Sequence, residues 1–98
     1  MPRTPVEFHP AALEEAEAAA NWYRERSPEA ATAFLAEVRR AVQQIAEAPE
    51  RCPPYIQDTR RYLFHRFPFF VVFRRAAGRI QVVAVAHARR RPGYWRIR

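Results

Sequence analysis

The sequence predicts an α+β fold: one small domain in the order β-α-α-β-β-β, with a helical hairpin packed on one face of an antiparallel sheet. Three observations carry this. The first half holds two stretches whose apolar residues recur at spacings of three and four, and the second half holds three runs rich in aromatic and β-branched residues. Between them lies a stiff segment containing Pro49, Pro53 and Pro54. At 98 residues the chain has room for one hydrophobic core, so residues 1–98 read as a single unit.

The elements follow in order. A short strand, Val6 to Phe8, ends at His9-Pro10, where proline is suited to open a helix. From Ala11 to Arg26, Leu13, Ala16, Ala20 and Tyr23 share one face while Glu14, Glu17, Asn21 and Arg24 take others. The small alanines on that inner face let a second helix approach closely. It follows at once: Ser27 reads as an N-cap with Pro28 at the first helical position, and Phe34, Leu35, Val38, Ala41, Val42 and Ile45 form one apolar stripe before Ala48. With only a turn between them, the two helices should run antiparallel. Pro49 stops the second helix. Strands are expected at Arg60 to Arg66, Phe69 to Arg75 and Ile80 to His87, joined by turns at Phe67-Pro68 and Ala76-Ala77-Gly78-Arg79 as an antiparallel meander.

A sheet with one wet face alternates apolar and polar residues, yet Phe69-Phe70-Val71-Val72-Phe73 and Val82-Val83-Ala84-Val85-Ala86 are apolar on both parities. Something must cover the second face. The C-terminal segment with Tyr94, Trp95 and Ile97 is one candidate, and a partner protein is the one expected here.

Composition excludes several functions. The longest strongly apolar stretch, Phe67 to Phe73, falls far below the roughly 20 residues of a membrane span, and no membrane partner is expected. Met1-Pro2-Arg3-Thr4-Pro5 leads into Val6-Glu7-Phe8 without an apolar signal core, and Cys52 stands alone; both suit the cytoplasm. The one serine, Ser27, is taken by its cap, and Cys52 has no histidine near it in sequence. His9, His65 and His87 lack metal-ligand spacing, and Gly78 and Gly93 are turn residues rather than a phosphate loop. No metal and no cofactor is expected.

The charge is unevenly placed. All 17 basic residues are arginine and the net charge is +7, but residues 1–59 hold six arginines against ten acids, a net −4, and residues 60–98 hold eleven arginines and no acid. Such segregation creates a positive field that draws polyanions or an acidic protein surface. The densest stretch, His87-Ala88-Arg89-Arg90-Arg91-Pro92-Gly93-Tyr94-Trp95-Arg96, sets three arginines beside two aromatics, a pattern able to pair phosphates and stack bases. The bland alternative is a solvated basic tail with Trp95 anchored in the core.

Three stretches, Val6-Glu7-Phe8-His9-Pro10-Ala11-Ala12, Arg61-Tyr62-Leu63-Phe64-His65-Arg66-Phe67-Pro68-Phe69 and Val85-Ala86-His87-Ala88-Arg89-Arg90, resemble the RelE/ParE superfamily of type II toxin-antitoxin systems, the ParE-like branch in particular. The resemblance implies a toxin made with an acidic antitoxin that neutralises it. ParE-like members resemble DNA gyrase poisons that need no catalytic site. RelE-like members resemble metal-independent endoribonucleases acting on mRNA in the ribosome, through basic and acid-base side chains.

Against the RelE pattern the arginine ending the last strand is kept as Arg89, while the arginine expected near Phe69 or Phe70 is missing. The resemblance therefore points to gyrase, with Arg89, Arg90, Arg91, Tyr94 and Trp95 engaging the target. For the RNase alternative the candidates are Arg89 for transition-state charge and His87 or His65 for proton transfer; a plain nucleic-acid-binding module is the third reading. The antitoxin is expected across the basic face or along the hairpin, near Trp22, Arg66 and Arg74, although Trp22 also suits packing within the hairpin.

Overall fold

His9 holds the first helix in place from its N-terminal end: its Nδ1 accepts the Ala11 N–H at 3.1 Å, and Pro10 fills the first turn where no backbone donor is required. The computed structural model describes residues 4–98, so Met1-Pro2-Arg3, the head of the stretch without a signal core, lies outside the described residues. Strand β1 spans Val6–Phe8, helix α1 Pro10–Arg26 and helix α2 Pro28–Glu47. Ser27 ends α1 and caps α2, its hydroxyl oxygen accepting the Ala30 N–H at 3.2 Å. A short 3₁₀ turn, Pro49–Arg51, follows, then strands β2 (Pro54–Tyr55), β3 (Thr59–Leu63), β4 (Phe69–Ala76) and β5 (Arg79–His87).

The five strands lie in the order β1-β5-β4-β3-β2. The β3-β4-β5 meander is antiparallel, but β1 joins β5 in parallel, with Val6 opposite Ile80 and Phe8 opposite Val82, so the sheet is mixed rather than wholly antiparallel. The crossover through the helical hairpin allows a parallel neighbour that a tight hairpin cannot. A β-bulge between Val72 and Phe73 shifts the β4–β5 register, which places both Val83 and Ala84 on the same side. The β4–β5 turn is two residues, Ala77 and Gly78, both at positive φ, as the right-handed twist of a hairpin favours. Strand β3 stops at Leu63 instead of reaching Arg66, and the proline-rich loop yields β2, which the sequence pattern did not announce.

Two cores sit on the two faces of the sheet. Under the hairpin, Ala12, Ala16, Ala19 and Ala20 of α1 and Phe34, Ala41 and Ile45 of α2 meet Val71, Phe73, Ile80, Val82 and Val85. Leu13 is a correction to the expected inner face of α1: it is half exposed, and Ala12 and Ala19 take the inward positions. At one end of this core Tyr23, Phe34, Phe67 and Phe69 pack as a ring cluster with centroids 4.9–6.4 Å apart.

On the opposite face Phe70, Val72, Val83, Ala84 and Ala86 are buried beneath Trp95, which is itself 1% exposed. The expectation that a partner covers this face is therefore corrected: the chain's own C-terminal segment does so. Pro92 and Gly93 make the reversal possible, with Gly93 at φ +83° and the Tyr94 N–H donating to the Arg91 carbonyl at 3.3 Å, the residue pattern of a type II turn. Tyr55 stacks on Trp95 at 5.6 Å, and the Arg61 guanidinium lies over Tyr55 at 4.3 Å. Ile97, by contrast, is almost fully exposed.

Candidate functional site

Strand β5 is longer than β1, and this inequality sets up the site. Among the described residues, the outer edge of β5 beyond Val82 has no neighbouring strand. Side chains take over there. Glu15, projecting from α1, accepts the Val85 N–H at 3.0 Å, and Arg98 donates to the Val83 carbonyl at 3.0 Å. The two also pair with each other in a bidentate bridge at 2.9 and 3.0 Å, each about one-sixth exposed. Tyr94 completes the knot by donating its hydroxyl to Glu15 at 2.7 Å.

These bonds have electrostatic consequences. Burial, and then the bond to Glu15, push the Tyr94 phenol far above its ordinary value, so it stays a proton donor. The hydrogen bonds that Arg98 donates to Glu15 raise its own pKa as well, against the effect of burial. Neither Glu15 nor Arg98 was a candidate from sequence. Their meeting joins residues far apart in the chain, and no local pattern marks it.

Next to the knot, α1 and the end of β5 enclose a groove of about 500 Å³ whose walls include Ala18, Trp22, Phe69, His87, Arg90 and Tyr94. Two sets of residues assigned to different patches from sequence, Trp22 for one partner and Arg90 and Tyr94 for another, share this one surface. Trp22 is half exposed, with the Arg26 guanidinium 3.5 Å from its ring centroid. Arg90 lies 3.9 Å from the Tyr94 ring centroid at the opposite rim. Arg89, Arg90 and Arg91 are all exposed on the turn after β5.

The remaining candidates are dispersed. His87 Nδ1 accepts the Arg89 N–H at 3.0 Å, which leaves Nε2 to carry the proton of the neutral ring. His65 is exposed and lines a separate cleft with Gln44, Arg51, Tyr62 and Leu63, so the two histidines are not brought together. Arg66 is exposed, but its backbone N–H is fixed by the buried Glu37 carboxylate at 3.3 Å. Arg74 is half-buried, with Nε and Nη2 on Gln81 Oε1 at 3.1 and 2.9 Å and Nη2 also on the Arg98 carbonyl at 3.0 Å; it ties down the tail rather than facing outward. Trp95 is likewise a correction as a target contact, because its ring fills the second core. Burial pushes the Cys52 thiol up, Arg60 only partly offsetting it, which disfavours a reactive thiolate. Among the described residues, no three His, Cys, Asp or Glu side chains are grouped to hold a metal ion.

A family model described as ParE toxin of type II toxin-antitoxin system, parDE, matches residues 6–92. The chain belongs to the ParE toxin family. Its fold agrees with a solved structure described as a chromosomal ParDE TA system from P. aeruginosa: the TM-score is 0.75 at 17% identity, over 87% of this chain and 96% of the other. At that identity the likeness speaks for the fold alone. No curated protein matches the chain. In this ParE-family chain the mixed sheet and helical hairpin form the scaffold, and among the described residues no helix is long and apolar enough to cross a membrane.

Proposed function

We propose that this ParE-family chain is a cytoplasmic growth-arresting toxin that acts by binding DNA gyrase and is held inactive by a cognate acidic antitoxin. The observation that carries the reading is the joining of three exposed arginines to an apolar groove at one end of the sheet. That is a docking surface: charge steers the encounter and the apolar walls supply affinity. The candidate proton-transfer groups support a binder over a nuclease. His87 and His65 lie in different clefts, and Tyr94 is bonded to Glu15 with its phenol pushed up, away from general-base chemistry.

Expression without antitoxin should arrest growth, and purified protein should inhibit gyrase supercoiling or trap its cleavage complex. Arg89→Ala, Arg90→Ala and Arg91→Ala combined should weaken gyrase inhibition at least about tenfold, the scale on which desolvated charge contacts act. Cleavage of mRNA inside ribosomes, lost on Arg89→Ala, with gyrase unaffected, would replace this reading with the RelE-type endoribonuclease. Unimpaired growth would leave only the plain nucleic-acid-binding module.

A further inference from the structure

A second cleft lies across the sheet from the groove. Strand β2 pairs only with Thr59 and Arg60 of β3, so farther along β3 the outer edge faces the end of α2 and the 3₁₀ turn instead of another strand. The cleft between them measures about 270 Å³, and its walls include Gln44, Arg51, Tyr62, Leu63 and His65. Among the described residues no acid lines it. Glu37, Arg40 and Gln44 fall three or four residues apart along α2, so Arg40 stands one turn before the cleft wall and Arg51 lies beyond the helix end. The Glu37 carboxylate draws a third arginine to the Arg40 end: one oxygen accepts the Arg66 N–H at 3.3 Å, and the other lies 3.9 Å from Arg40. Glu37 itself is buried, whereas Arg40, Arg51 and Arg66 are all exposed.

The backbone around this cleft disfavours a peptide as its occupant. The Pro53 carbonyl already accepts the Arg61 N–H at 3.2 Å, and the Phe64 N–H turns back to the Phe69 carbonyl at 3.0 Å, so only Leu63 presents its backbone outward. One residue makes no ladder, and recognition falls to side chains. A cationic rim around aromatic groups is what a single nucleic-acid strand requires: guanidiniums pair with phosphates, and the Tyr62 and His65 rings are available to a base. Burial, and then the charge of Glu37, push the Tyr62 phenol up, so it stays a neutral donor. We propose that this cleft binds single-stranded nucleic acid. One base enters beside Tyr62 and His65, and the flanking phosphates meet Arg51 on one side and Arg40 and Arg66 on the other. The assignment is independent of the gyrase reading and places a second ligand on a surface separate from the Arg89–Arg91 turn.

The test is fluorescence anisotropy of the purified full chain with short labelled oligo-dT and oligo-U. Three phosphate contacts on a single strand predict a slope of log affinity against log salt of about −2, at about 0.7 per contact, and Arg51→Ala should make it shallower by about 0.7. His65→Ala should weaken binding at least about fivefold, the lower bound for a stacked base. Both residues are exposed, so both variants should keep the parent urea midpoint, which separates lost binding from lost folding. Arg89→Ala, Arg90→Ala and Arg91→Ala combined should hold affinity within about threefold, because charge far from the bound strand is largely screened. Tighter binding of oligo-dT or of oligo-U names DNA or RNA as the source within the proposal. Undiminished binding by Arg51→Ala and His65→Ala, or a loss confined to the Arg89–Arg91 variant, would overturn the site. Equal binding of a polyglutamate peptide would overturn the nucleic-acid occupant in favour of an acidic protein, and no binding of either strand would overturn the proposal outright. Gyrase inhibition is read in a separate assay, so the two readings fail independently.

Discussion

Replacing Trp95 with alanine tests whether the tail is the cover of the second sheet face. A buried tryptophan removes on the order of 150–250 Å² from water, which at about 25 cal/mol per Å² is worth about 4–6 kcal/mol. Aromatic-to-alanine changes in cores cost about 3–5 kcal/mol when measured. One feature lowers the figure here: among the described residues the indole Nε1 is buried without a hydrogen-bond partner, a penalty of about 1–3 kcal/mol that the substitution relieves. With that relief taken at its lower value of about 1 kcal/mol, the expected loss is about 2–4 kcal/mol, within the roughly 5–15 kcal/mol total of a domain this size, so the variant still folds. Trp95→Phe separates the two contributions. Phenylalanine keeps an aromatic ring against Tyr55 and Phe70 and discards the unsatisfied N–H, so its cost should stay within about 1.5 kcal/mol. Urea unfolding followed by far-UV circular dichroism gives both values, the alanine variant shifting the midpoint down by roughly 1–2 M with an unchanged slope. A loss below about 1 kcal/mol for Trp95→Ala would refute the tail as cover. Equal losses for both variants would refute the unsatisfied indole.

Other consequences follow from the same contacts. Glu15→Gln leaves the Arg98 guanidinium without its counter-charge and should cost about 1–3 kcal/mol in urea unfolding, below the full value for a buried pair because both side chains retain some solvent. Tyr94 is raised in the folded state above its ordinary 10.0, so its contribution is fully present below pH 10 and is lost as pH climbs beyond it; Tyr94→Phe should flatten the alkaline limb of a stability-pH profile. Ser27→Ala removes the cap bond to the Ala30 N–H and should cost about 1 kcal/mol, read from the same urea transition.

The helices and the meander were legible because their signals are local. Ser27-Pro28 and His9-Pro10 mark helix starts through capping chemistry, and Ala77-Gly78 marks a hairpin through positive φ. The two apolar parities of β4 and β5 correctly showed that both faces are buried. They did not show by what, because a tail and a partner present the same apolar requirement to a strand. The parallel pairing of β1 was hidden for a related reason: three residues, Val6 to Phe8, have too short a pattern to name a neighbour. At the site, the arginine turn and Trp22 stood out as exposed chemistry, yet their common groove forms only where the closed fold sets α1 against the end of β5.

The division of charge along the chain also changes meaning once the fold is closed. Three arginines of the basic half find acids of the other half: Arg98 pairs with Glu15, Arg79 with Glu7 at 2.9 Å and Arg75 with Glu50 at 3.5 Å. Exposed pairs of the latter two kinds are worth little, so stability alone does not account for eleven uncompensated arginines in sequence. Arg61 lies over Tyr55, Arg60 donates to the Cys52 carbonyl, and Arg74 holds Gln81 and the tail. The contacts of these six arginines lie within the domain. Among the described residues Arg89, Arg90 and Arg91 have no acid within ion-pair distance, and all three sit on the turn beside the groove, next to the open edge of β5. A positive field left there by the folded chain is a field directed at something outside it, because charge that serves the fold is drawn to acids within the domain, as in Arg98, Arg79 and Arg75.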